Sequence, residues 1–170
     1  MLTNHLELIR HCRDKVNLAL DDSKGYSSME IIDKQSLLMA AGGMTFKALN
    51  TGEMVDILAG LTHLAYLSAE ALVCSGREIA VLPPPGYQAY EMLTIMQMLS
   101  EKIHFCSSGK TECYIDLYHC CAALAANFLN ADFEKAFTML HQWRLNGKTQ
   151  PALTICDCAM FPDLTDCLYE

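Results

Sequence analysis

Glu53-Met54-Val55-Asp56 sets two carboxylates three residues apart, an interval that places side chains on one helical face. Behind the turn residue Gly52, such a pair can hold a hard divalent cation against a phosphate. The same residues also suit a helix start, where Glu53 favours the dipole and Asp56 is a solvated first-turn acid. Glu30 and Asp33 repeat the spacing with Lys34 beside them and read as a solvent-facing turn. His63, Glu70, His141 and Lys148 are candidates for a pocket, and the first three serve equally as hydrogen-bonded groups at helix contacts. His119 adjoins Cys120 and Cys121, the ingredients of an activated thiol. Neighbours on a helix point in different directions, and no carboxylate or amide partner is identifiable, so packing is the better reading there.

Nine cysteines raise the alternatives of disulfides and zinc. The count is odd, and the polar start Met1-Leu2-Thr3-Asn4-His5-Leu6-Glu7 has no signal-peptide character. A reducing cytoplasm with mostly free, buried thiols is the expectation. Zinc could be held by His104, Cys106, Cys113, His119, Cys120 and Cys121, or by Cys156, Cys158 and Cys167, but neither set has paired C-x-x-C knuckles. A net charge of −8 argues against a nucleic-acid backbone as partner and suits a metal–nucleotide complex or a basic protein surface.

These residues must be carried by helices. Just over half of the chain is apolar at 52%, Met and Leu are plentiful, and Gly and Pro are few and clustered. The first helix is expected over about Thr3–Leu20 on the stripe Leu6, Ile9, Cys12, Val16 and Leu20, with 21–25 as its exit turn. Ser27 or Ser28 can cap a second helix to about Leu49, in which Gly42-Gly43 predicts a kink or a close helix approach. A third helix, Glu53 to Cys74, is apolar on nearly every side. Asp56, Thr62, His63, Ser68 and Glu70 would be costly in lipid, so it reads as a buried helix with no membrane role. After the proline linker 82–86, helices are expected over Tyr87–Phe105, Thr111–Leu129 and, capped by Asp132, up to Asn146-Gly147. Met92, Met96 and Met98 read as packing residues. Phosphate loops, nucleophile elbows and H-E-x-x-H motifs do not occur.

From Leu38 to Tyr66 the chain resembles the MazG-like family of all-α nucleoside triphosphate pyrophosphohydrolases. That family sets an E-E-x-x-E helix against an E-x-x-D helix, and the resemblance implies a magnesium cluster between the two. Glu53 and Asp56 match E-x-x-D; a second register puts Asp56 at the Glu slot and Ala59 at the Asp slot, with Tyr66 on a family tyrosine. Counted back from Gly52, the E-E-x-x-E slots fall on Ala40, Ala41 and Met44, none of them acidic. Methyl and thioether groups cannot ligate a hard cation. Ala136 to Lys148 resembles a helix of phage and bacterial members, with Trp143-Arg144 in place of Ser-Asn, and Phe161-Pro162-Asp163-Leu164 resembles their P-P-D-L ending.

The expected architecture is therefore an all-α bundle of about five to six helices, MazG-like and homo-oligomeric through the third helix. Residues 1–148 form its domain with an extended region at 82–130, and 149–170 form an irregular tail packed on it. The resemblance implies a catalytically degenerate protein that acts by binding a nucleotide or a basic host protein, phage-encoded and resident in the host cytoplasm, without a cofactor. The alternative is an active pyrophosphohydrolase whose magnesium is held by Glu53, Asp56 and acids from elsewhere, such as Glu30 or Asp33.

Overall fold

The computed structural model describes residues 1–15, 26–76, 91–146 and 161–169, with the backbone alone at 13–15. Six α-helices follow in order: α1 (Leu2–Lys15), α2 (Ser28–Thr51), α3 (Met54–Cys74), α4 (Met92–Cys106), α5 (Thr111–Asn127) and α6 (Phe133–Asn146). A 3-10 turn at Thr165–Cys167 ends the order. Among the described residues the only β feature is an isolated antiparallel bridge between Ala131 and Leu168. The all-α expectation is met. The end of the first helix (16–20), its exit turn, the proline linker and residues 87–90 ahead of α4 lie outside the described residues.

Side chains and glycines fix the boundaries. Ser27 closes a capping box with Glu30: the Glu30 amide donates to Ser27 Oγ at 3.3 Å, and the Ser27 amide donates to Glu30 Oε2 at 2.8 Å. These bonds hold the Glu30 carboxyl below the usual range, so Glu30 is a helix cap and not a second carboxylate for a metal. Gly52 ends α2 in the left-handed region at φ 76°, its amide bonded to Ala48 O at 2.9 Å. Asp132 caps α6 by accepting from the Lys135 amide at 3.0 Å. α5 stops at Asn127, two residues before the expected Leu129, because the Leu129 amide reaches back five residues to Leu124 O at 3.2 Å and Asn130 turns left-handed at φ 51°.

α3 is the axis of the bundle, with α1, α2, α5 and α6 packed around it. By length and composition it could cross a membrane, yet 89% of its apolar window is buried by the other helices. Leu58, Leu61 and Leu64 are fully enclosed, and each contributes about 2 kcal/mol by leaving water. The apolar surface of α3 is thus covered within one chain, which removes the reason for expecting a partner subunit to bury it.

α2 runs unbroken through Gly42-Gly43, and the two glycines differ. A Cβ on Gly42 would fall 2.7 Å from Ile103 Cδ1, so Gly42 admits α4, whereas Gly43 faces open space. A close approach of α2 and α3 is at Gly60 instead. A Cβ there would lie 2.5 Å from Thr45 Oγ1 and 3.0 Å from Thr45 Cα. The described part of the tail docks on α6: the Asp132 amide donates to Cys167 O at 2.7 Å, and Lys135 Nζ donates to Asp166 O at 2.8 Å.

Candidate functional site

The α2–α3 contact leaves a crevice lined by Met44, Asp56, Ala59, Gly60 and Phe161. It offers about 10 Å³, barely the room one water needs. Of the three slots without acids, Met44 alone reaches it. Ala40 lies on the exposed outer face of α2, and Ala41 is buried. Glu53 and Asp56 are both exposed at the start of α3, and only Asp56 borders the crevice. A magnesium ion seeks six oxygens in octahedral array. Here a single carboxylate faces a thioether, a methyl group, a glycine and a phenyl ring. Among the described residues no three of His, Cys, Asp and Glu converge on a metal position, so these residues do not fit a magnesium cluster.

Phe161 joins this crevice to a polar network between α3 and α6. Its ring meets His63 edge-on at 5.1 Å between centroids and also approaches Trp143 at 6.2 Å. His63, Tyr66 and Glu70 recur at intervals of three and four, so they share one face of α3. The Tyr66 hydroxyl and His141 Nδ1 share a 3.1 Å hydrogen bond. Arg144 stands 4.5 Å over the Tyr66 ring and donates to Glu70 Oε2 at 3.5 Å. Burial, with Arg144 second, pushes His63 down to about 3 and lowers His141 as well. The structure therefore brings His63, Glu70 and His141 onto one seam, where they form a packed interhelical network without an open nucleotide pocket among the described residues. Lys148, the fourth pocket candidate, lies outside those residues.

Arg144 is the organiser of this seam and was not among the sequence candidates. The available signal was the polar 63–66–70 face on an otherwise apolar helix, which requires polar partners opposite. Replacing Arg144 by leucine is expected to cost about 1 kcal/mol, because the ion pair is partly solvated and the stacking contact is modest. It should also move His141 upward in an NMR pH titration, since a nearby positive charge disfavours the imidazolium. An unchanged His141 titration would refute this arrangement.

A further buried histidine, His5, was not among the sequence candidates. His5 Nδ1 lies 2.6 Å from the Tyr118 hydroxyl and Nε2 lies 2.7 Å from Glu134 Oε2, while the ring stacks on Phe137 at 3.7 Å. Burial outweighs Glu134 and lowers its pKa. With the ring almost wholly enclosed, this arrangement ties α1 to α5 and α6 and offers no approach to a substrate.

Burial governs the thiols of Cys106, Cys120 and Cys121, in line with the packing reading. Desolvation raises Cys106 and Cys120 to about 12 and pushes Cys121 well above the usual thiol range, so all three stay protonated and inert. His104 is exposed while Cys106 is buried, and among the described residues the α4–α5 set does not assemble a zinc site. Cys167 is buried with its thiol 3.6 Å from Met139 Sδ; Cys156 and Cys158 lie outside the described residues.

Comparison with protein-family models, curated proteins and solved structures finds no match for this chain. Among the described residues the molecule is a bundle of six helices whose α2–α3 contact closes on a single carboxylate.

Proposed function

We propose that this chain is a binding protein on a degenerate MazG-like scaffold, acting on a protein partner and without nucleotide hydrolysis. The crevice at Asp56 carries the proposal. Met44 stands at an acidic slot of the MazG-like pattern, Ala59 at one in its second register, and Phe161 lines the same crevice. An opening of about 10 Å³ is far below the several hundred Å³ that small-molecule pockets occupy. That contrast argues against a nucleotide at this crevice and leaves a protein surface as the ligand proposed for it. A net charge of −8 suits a basic partner, as on a nucleic-acid-binding host protein.

The test is turnover. Purified protein incubated with magnesium and a panel of nucleoside triphosphates is expected to release no pyrophosphate above a protein-free control. Magnesium-dependent release that disappears in Asp56→Ala would replace this reading with the pyrophosphohydrolase.

A further inference from the structure

One face of α2 is unexplained by the packing of the described residues. Met29, Ile32, Ser36, Met39 and Gly43 follow one another at alternating intervals of three and four residues, the seam of a helix that pairs with another helix. All five are exposed, with Met29, Ile32 and Met39 at 65%, 59% and 60%. Solvent-facing helix positions ordinarily carry charge, and a stripe of this kind marks a contact surface. Gly43 adds an independent oddity. It sits inside a helix, at a cost of about 1 kcal/mol against alanine, and nothing in the described chain occupies the space it leaves.

The charges beside the seam say what covers it. Asp33 and Lys47 are both exposed, lie seven residues to either side of Ala40, and make no ion pair among the described residues. At 1.5 Å per residue each stands about 10 Å from Ala40 along the axis. The face is therefore self-complementary under a two-fold rotation, which reverses the helix and sets each acid beside the other copy's lysine. Opposed helix dipoles favour the same orientation.

We propose that this face of α2 pairs antiparallel with the same face of a second copy of the chain, about a two-fold axis at Ala40. Ser36, Ala40 and Gly43 let the two backbones approach, Met29, Ile32 and Met39 fill the flanks, and two Asp33–Lys47 pairs fix the register. The contact is isologous, as closed dimers require. It is independent of the metal-site reading, since Asp56 and Phe161 take no part.

Sedimentation velocity of the full chain at low salt tests it, over about 1–200 µM, the range in which a micromolar dimer forms and dissociates. A concentration-dependent dimer is expected. Asp33→Lys and Lys47→Asp each turn two attractions into two repulsions and should raise the dimer dissociation constant about tenfold or more. The double variant Asp33→Lys/Lys47→Asp restores opposite charges across the axis and should recover the dimer. Both sites are exposed, so circular dichroism should show an unchanged fold. A monomer at every concentration, a dimer indifferent to the single exchanges, or a double variant that stays dissociated would each overturn the proposal.

Discussion

Gly60→Ala is expected to destabilise the protein by about 2 kcal/mol, and Gly60→Val by more, despite the better helix propensity of both residues. The new Cβ would fall 2.5 Å from Thr45 Oγ1 and 3.0 Å from Thr45 Cα, inside any permitted contact. Thr45 cannot yield cheaply. It is fully buried, and its hydroxyl donates to Ala41 O at 2.9 Å, so relief requires moving α2 away from α3. That movement would open the contact on which Met44, Asp56 and Phe161 depend. Gly43→Ala is the matched control. Its Cβ enters open space, so the propensity gain of up to about 1 kcal/mol should be realised in full. Urea unfolding of the two variants, at a concentration well below self-association, reads both numbers. Equal and small effects would mean that the α2–α3 approach is looser than described.

Acid is expected to weaken this protein from about pH 6.5 downward, before its carboxylates begin to titrate. His63 is 5% exposed, its Nδ1 has no hydrogen-bond partner among the described residues, and its pKa falls from 6.5 to about 3. His5, His119 and His141 are lowered too, each mainly by burial. The sign follows from linkage: below pH 6.5 the unfolded chain binds protons that the native state refuses. Stability from His63 is therefore fully present above pH 6.5 and drains away as pH falls toward 3. At pH 4.5 the loss from this residue is roughly 2–3 kcal/mol, and the other three add in the same direction. The acids whose pKa values are lowered, Glu30 and Asp163, are exposed and start from about 4.5 and 3.8, so they do not govern the range above pH 5. Unfolding free energies at pH 7.5 and 5.0 should differ substantially in the parent protein and less in His63→Phe, which keeps a ring against Phe161. Parallel pH profiles for the two proteins would contradict the buried, neutral His63.

The elements were largely legible in the sequence because each is announced locally. Ser27 with Glu30, the left-handed Gly52 and the cap Asp132 bound their helices through contacts between near neighbours. α3 was legible as a buried helix from its apolar circumference, although it did not reveal that one chain suffices to cover it. What escaped depends on partners distant in sequence. Gly60 looked like an ordinary helix residue, while Gly42-Gly43 drew attention by being a pair; only the position of Thr45 distinguishes them. Arg144 gains its importance from Tyr66 and Glu70 across the seam, 78 and 74 positions away, and His5 from Tyr118 and Glu134. At the candidate site, the missing acids at Ala40, Ala41 and Met44 were visible as letters. That only Met44 faces Asp56, and that Phe161 lies over both, required the packed structure.

We propose that the α2–α3 contact holds no magnesium–nucleotide site. Calorimetric titration of magnesium–ATP into the purified protein tests it most directly, because it detects binding whether or not turnover follows. The account predicts no saturable heat beyond dilution, in the parent protein and in Asp56→Ala alike. Saturable binding in the parent that is lost in Asp56→Ala would contradict it and restore Asp56 as a metal ligand.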